Sequence, residues 1–328
     1  MKTFHGIDEY EAFFVNNREN MPEVALALGK FDGIHSGHAK LFDDLTEEAG
    51  KRKLKTLIFT FDKPFSAYFS GNDPEVLTTY VEREEAVKRW GIDYLIEYPL
   101  NEDTVGVEAD RFIDDILVRR LRSVFIAAGP DMSYGRGGKG NIDLLKEKAG
   151  DRYEVLVVPK VMSCEGEIIS SSLVRDELKT GNMEKVTGLL GRPYSIIGKV
   201  SRGRKLGSSV LDMPTVNIIP EKYKLLPPHG VYFSETVVGS EKYKSITNIG
   251  VKPTVQRENK VNAETFLYDF DDDLYGENIQ VDLLHFHRKE MKFESLDDLK
   301  RQMLDDKMQG MRFNAAQCHS EQSEESQE

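Results

Sequence analysis

The chain has 328 residues, 39% hydrophobic and 30% charged, with a formal net charge of −12. That length exceeds one ordinary core and predicts two domains, and the acidic balance excludes a general nucleic-acid binder, which needs a basic footprint. No stretch nears the ~18 uninterrupted apolar residues of a membrane-spanning helix. Cys164 and Cys318, far apart, exclude a disulfide framework and a cysteine-based zinc site, and the start Met1-Lys2-Thr3-Phe4-His5 has no signal-like apolar region. A cytoplasmic protein without membrane partners is expected, and its oligomeric state is not legible.

In the first half, apolar runs alternate with amphipathic stretches. Strands are predicted over 24–28, 56–61, 94–97, 124–128 and 154–158, and helices over 39–51, 80–90, 109–121 and 142–148. Thr79 and Glu82 form a capping box for the second helix, and Gly91 ends it. Strands alternating with helices imply a parallel, doubly wound, Rossmann-like sheet. Its ligands bind beyond the carboxyl ends of the strands, near the switch in strand order.

A helix interrupted at Gly181 leads to a boundary between Gly188 and Pro193, where the pattern changes. Strands follow over 194–200, 215–219, 230–238, 244–249, 263–270 and 279–286, punctuated by Gly, Pro, Asn and Asp as in an antiparallel sandwich or barrel. One amphipathic helix, 296–308, closes the half. The expected organisation is therefore 1–188, 189–313 and an acidic tail, 314–328. That tail carries four glutamates and no Lys or Arg, so it supplies −4 of the net charge, and with no aliphatic residue larger than Ala it cannot build a core.

Directly after the first strand stands Gly29-Lys30-Phe31-Asp32-Gly33-Ile34-His35-Ser36-Gly37-His38. Two histidines three apart at a helix start meet free amides and the positive end of a dipole, which favour anionic oxygens. Gly33 and Gly37 allow close backbone approach, and His35 and His38 can donate to charge developing on a phosphate. An isolated H-x-x-H is more often an ordinary loop, and a metal site would need a third and fourth ligand; the position after a strand favours phosphate. Further on, Ser170-Ser171-Ser172 with Arg175 can bind polyphosphate oxygens or serve as a plain N-cap with a surface arginine.

Together these segments resemble the nucleotidyltransferase superfamily that pairs H-x-G-H with I-S-S-T-x-I-R, and F-D-G-x-H-x-G-H resembles bacterial FAD synthetases in particular. The resemblance implies that FMN phosphate attacks the α-phosphorus of ATP, releasing pyrophosphate, with Mg²⁺ bridging the phosphates. It assigns His35 and His38 to the transition state. Gly29, Phe31, Asp32, Gly33, Gly37, Ser171, Ser172 and Arg175 would hold ATP. Asp62 and Asp131 fall in segments that line the nucleotide and flavin pockets of relatives. Three segments depart from the family pattern: Lys30 replaces the usual Asn, Thr60-Phe61-Asp62-Lys63-Pro64-Phe65 replaces T-F-E-P-H-P, and Gly129-Pro130-Asp131-Met132-Ser133-Tyr134-Gly135 replaces G-x-D-F-x-F-G.

In the second half, Gly198 to Gly207 gathers four cations among three glycines, before Pro214-Thr215-Val216-Asn217. Such a turn can wrap phosphates, and Thr and Asn oxygens suit Mg²⁺; a solvated hairpin before a strand fits equally. These motifs resemble the riboflavin kinase domain, as do Gly230-Val231-Tyr232, Asn248 to Thr254, Glu264 within its strand, Leu274-Tyr275-Gly276 and Arg288 to Phe293. The resemblance implies a closed barrel in which Gly203, Lys205, Gly207 and Pro214 contact ATP and Thr215 and Asn217 hold Mg-ATP. Glu264 would be the general base on the terminal ribityl hydroxyl, with Arg288 and Phe293 at the flavin. Relatives read G-R-x-L-G-x-P-T, whereas here Ser208-Ser209-Val210-Leu211-Asp212-Met213 follow Gly207, one residue longer.

The expected activity is bifunctional: riboflavin and ATP give FMN, and FMN and ATP give FAD. The rivals are a nucleotidyltransferase acting on another phosphate substrate and a flavin-binding sensor with drifted catalytic loops. A kinase-like barrel has no reason to accompany an unrelated substrate.

Overall fold

The computed structural model describes residues 1–63, 75–201, 215–253 and 259–313. The expected kinase contacts Gly203, Lys205, Gly207 and Pro214, the Pro64-Phe65 part of the pocket segment, Thr254 and the acidic tail lie outside the described residues. Two compact units divide at Ser171/Ser172.

The first unit is a six-stranded parallel sheet in the order β1-β4-β3-β2-β5-β6. Its strands are β1 (Lys2–Phe4), β2 (Val24–Leu28), β3 (Lys55–Phe61), β4 (Tyr94–Tyr98), β5 (Ser123–Ala128) and β6 (Glu154–Val157). Every residue of β2 is buried, because helices cover both faces. The strand period of two divides its side chains: Val24, Leu26 and Leu28 enter one core, Ala25 and Ala27 the other. Ile7, Tyr10, Phe14, Phe112, Ile113 and Ile116 fill the first core, while Leu41, Phe42, Leu45 and Ala49 of the helix Ser36–Arg52 fill the second. Strand order reverses between β2 and β5, so the loops following these two strands emerge at the switch point.

The capping box is present, with Thr79 N–H donating to Glu82 at 2.9 Å and Glu82 N–H to Thr79 Oγ1 at 3.4 Å. That helix is α-helical over Tyr80–Val87 and tightens to a 3₁₀ turn over Lys88–Trp90, ending at Gly91 with φ 62°. Where one α-helix was expected over 109–121, Ala109–Arg111 continues as a π-type helix over Phe112–Arg120.

The second unit is a closed antiparallel barrel, β10-β11-β8-β7-β12-β9. Its strands are β7 (Tyr194–Ser201), β8 (Thr215–Ile218), β9 (Gly230–Val238), β10 (Glu241–Pro253), β11 (Asn259–Leu267) and β12 (Asn278–Lys289). Closure leaves no sheet edge open. The helices Ser171–Thr180 and Met183–Leu190 are parted at Gly181, whose φ is 84°. The second of them packs on β12 and β7. The last helix, Leu296–Arg312, is one turn longer than its apolar pattern predicts.

Candidate active sites

In the loop after β2, Phe31, Gly33 and Ile34 have φ of 45°, 90° and 48°. Glycine adopts this region freely, but a phenylalanine and a β-branched isoleucine there cost about 1–3 kcal/mol each, so the surroundings must impose the shape. They do so from several sides. The Phe31 ring is buried between Phe42 and His38, at centroid distances of 4.9 and 5.2 Å. A Cβ on Gly29 would meet that ring at 2.5 Å. Thr60 Oγ1 donates to the Lys30 carbonyl at 2.9 Å. The Asp32 carboxylate accepts the amides of Leu77 and Thr78 at 2.8 and 3.2 Å, and Gly33 N–H donates to Thr78 Oγ1 at 3.1 Å.

The loop delivers His35 as the N-cap of the helix Ser36–Arg52, which starts three residues before the expected Ala39. His38 falls in the first turn, its N–H donating to the His35 carbonyl at 2.8 Å. The two imidazoles stack with centroids 3.7 Å apart and planes 19° from parallel. A side chain on Gly37 would press its Cβ to 3.1 Å from the His35 ring. Two polar rings are thus held together at the positive end of a 17-residue helix, an arrangement suited to phosphate oxygens.

The remaining sites predicted for the first half divide. Ser171 Oγ donates to the Asp32 carbonyl at 2.8 Å, joining the Ser/Arg element to the histidine loop. Ser172 and Arg175 follow on the helix Ser171–Thr180, in the second unit. Asp62 lies just past β3, where its N–H donates to the Tyr98 carbonyl at 3.0 Å and its carboxylate accepts the Leu100 amide at 2.9 Å. Asp131 is exposed and pairs with Lys160 at 2.5 Å. Asp32, Asp62 and Asp131 therefore all have intramolecular partners.

In the barrel, Thr215 Oγ1 donates to Glu264 Oε1 at 2.7 Å. Asn217 lies directly across from Glu264 in the β8/β11 register, and its Oδ1 accepts from Asn262 at 2.8 Å. A cavity of about 480 Å³ brings Thr215, Glu264, Arg288 and Phe293 onto one wall system. That volume suits a small aromatic ligand, and Ile246, Phe266, Leu299 and Met303 make most of the lining apolar.

Three further polar residues, Asn248, Glu290 and Asp306, line this cavity without a site role legible in the sequence. Asn248 pairs across strands with Glu264, a register visible only once the barrel is closed. Asp306 resembles any acidic residue of an exposed helix, yet it is 3% exposed. It accepts from Arg288 Nε and Nη2 at 2.9 and 2.5 Å and from Gln302 at 2.9 Å. Burial alone would raise its carboxyl, but the hydrogen bonds from Arg288 and Gln302 outweigh that and hold it below the usual range. Burial pushes the neighbouring His287 imidazole down, against the pull of Asp306 at 3.3 Å.

Known proteins match both halves of the chain. A family model for FAD synthetase matches residues 17–173 and one for riboflavin kinase matches 190–313. The bifunctional riboflavin kinase/FMN adenylyltransferase of Escherichia coli (strain K12) is 34% identical over 304 residues, covering 91% of this chain and 96% of the relative. The protein of the same name from Bacillus subtilis (strain 168) is 30% identical over 318 residues, covering 95% and 98%. A crystal structure described as a macrolide-efflux protein from Streptococcus pneumoniae matches with a TM-score of 0.80 at 26% identity, covering 95% of this chain and 99% of that one. Among the described residues, no helix of this chain is long and apolar enough to cross a membrane. Taken with the order of the two domains, these matches show that the chain belongs to the bifunctional riboflavin kinase/FMN adenylyltransferase family.

Proposed function

We propose that the barrel phosphorylates riboflavin and the parallel-sheet unit adenylylates the resulting FMN, with domain limits 1–188 and 189–313. The observation that carries this reading is the cavity uniting Glu264 and Thr215 with Arg288 and Phe293: a candidate base beside a largely apolar volume fit for an isoalloxazine.

In the kinase step, Glu264 takes the proton of the terminal ribityl hydroxyl as its oxygen attacks the γ-phosphorus of ATP, and ADP leaves. Such base assistance contributes about 100-fold or more. Arg288 and Phe293 orient the flavin, and the helix Leu296–Arg312 excludes water. Thr215 and Asn217 present oxygen donors only, a set that suits Mg²⁺ shared with substrate phosphates. When bound there, the ion would neutralise charge on the ATP phosphates. Gly203, Lys205, Gly207 and Pro214 complete the proposed nucleotide contacts.

In the second step, an FMN phosphate oxygen bonds to the α-phosphorus of ATP, the bond to the bridging oxygen breaks, and pyrophosphate leaves. His35 and His38 donate hydrogen bonds to the oxygens that gain charge. Ser171, Ser172, Arg175 and the backbone of the Gly29–Gly37 loop hold the triphosphate. Asp62 and Asp131 stand in the segments that line the nucleotide and flavin pocket. The same reading places the enzyme in the cytoplasm with small molecules as its partners.

Incubating purified protein with riboflavin and Mg-ATP and separating the flavins by chromatography tests the reading. FMN followed by FAD is expected. The absence of both FMN and FAD would sink it, and binding without turnover would favour a sensor.

A further inference from the structure

At the carboxyl edge of the parallel sheet lies a charged pair outside the sites described above. Arg83, on the helix Tyr80–Val87, is 4% exposed, and Glu97, the penultimate residue of β4, is 2% exposed. Arg83 Nη1 donates to Glu97 Oε1 at 3.2 Å and to the Phe61 carbonyl, the last of β3, at 3.1 Å. Glu97 Oε2 faces His5 Nδ1 at 3.3 Å.

Stability alone does not call for this pair. Burying two charges costs more solvation than their attraction reliably returns, and well-packed apolar replacements are often neutral or better. A planar guanidinium, however, can serve a carbonyl and a carboxylate at a fixed angle, which no apolar side chain does. The carbonyl in question immediately precedes Asp62, whose carboxylate fastens the Leu100 amide beyond β4. Arg83 thus ties together the ends of two strands on the edge where ligands of such sheets bind.

Arg83 is also bonded, step by step, to the histidine loop. Its helix starts at the Thr79/Glu82 capping box. The two residues before that box, Leu77 and Thr78, give their amides to the Asp32 carboxylate, and the Thr78 hydroxyl accepts the Gly33 amide. A shift of this helix would therefore move both the Phe61-Asp62 edge and the loop that carries His35 and His38.

We propose that Arg83, with Glu97 as its counter-ion, is a positioning residue for adenylyl transfer, setting the ends of β3 and β4 against the histidine loop. The proposal rests on the assignment of FAD formation to this unit. Its test uses the full chain, because riboflavin phosphorylation by the barrel is an internal control. In the apolar double variant R83M/E97L, circular dichroism and the hydrogen-exchange protection of β3 and β4 should match wild type. Riboflavin phosphorylation should be unchanged, while kcat/KM for FAD formation falls at least tenfold, chiefly through a raised KM for FMN. R83K, which keeps the charge but loses the planar fork, should recover part of that loss. A folded R83M/E97L protein making FAD with wild-type KM and kcat would overturn the proposal. If the double variant does not fold, R83K decides: a wild-type KM for FMN in that variant overturns it equally. Wild-type protein that makes FMN but no FAD would instead sink the underlying assignment.

Discussion

Arg288 and Asp306 form a two-pronged ion pair, Nε to Oδ1 at 2.9 Å and Nη2 to Oδ2 at 2.5 Å, that fastens β12 to the last helix at the wall of the kinase cavity. Two register shifts of β12 against β9, at Leu283/His285 and Phe286/Arg288, adjust the strand just before this residue. Such irregularities re-aim side chains. Removing one partner of a buried pair strands the other charge and costs about 3–5 kcal/mol. Asp306→Asn keeps the shape but loses the charge. It should raise the KM for riboflavin by tenfold or more, and FAD formation from supplied FMN should stay intact. A wild-type KM would show that the helix closes the cavity without the pair.

The same pair gives the barrel an acid limit. The folded pKa of Asp306 lies below its unfolded value, so the pair's stabilisation is present above the ordinary carboxylate range and is lost as pH falls through the lowered pKa. His287, also held down, shifts proton uptake in the same direction, beginning as pH falls below its unfolded value of about 6.5. Glu97 has the opposite sign: burial raises its pKa against the pull of Arg83 and His5. Its contribution is full below the unfolded pKa and fades as pH rises through the folded one. Denaturant melts followed between pH 2 and 8 by a probe in each unit should show acid weakening of the barrel, with Asp306→Asn removing its carboxylate part and leaving the part due to His287. In the first unit, Glu97→Gln should flatten a slope of the other sign.

The division of labour is separable by mutation. His38→Ala removes a ring stacked on His35 and should abolish FAD formation while leaving riboflavin phosphorylation untouched. Glu264→Ala removes the acceptor of the Thr215 hydroxyl and should abolish FMN formation alone, with losses of about 100-fold or more. Chromatography of products from riboflavin and from FMN separates the two outcomes. If either change removed both activities, the assignment of one reaction to each unit would be wrong.

Much of this was legible because local chemistry and global fold agree. The Thr79/Glu82 box, the Gly181 break and the buried run of β2 all occur where residue type alone places them. What escaped depends on distant partners. β1 has three residues and exists by pairing with β4, 92 positions away, so no local period announces it. β10 begins at Glu241, before its expected start at Lys244, because a two-residue Gly239-Ser240 turn lets polar residues pair with β9. Gly239, at φ 61°, was the available signal. The helix bearing His38 starts early because the strained loop fixes His35 as its cap, overriding the poor helix propensity of Gly37. Asp306 was hidden for the reverse reason: its partner is on a different element, and a lone acid in an amphipathic helix ordinarily faces water.

Two glycines in the pieces that carry the family resemblance have different reasons to be glycine, and substitution should tell them apart. A Cβ on Gly135 would lie 2.7 Å from the Ala109 Cα, and its φ is 70°, so backbone strain and a backbone clash act together. Gly135→Ala should therefore destabilise the first unit by a few kcal/mol. A Cβ on Gly250 would lie 2.0 Å from Glu290 Oε1, the far end of a flexible side chain. Gly250→Ala should leave the melting profile close to wild type but push the Glu290 carboxylate out of its place at the kinase cavity. Its effect should then be a higher KM for riboflavin, with FAD formation unaltered. Thermal melts alongside the two flavin assays distinguish the cases. A Gly250→Ala barrel that unfolds early with an unchanged KM would mean that this glycine serves the strand rather than the site.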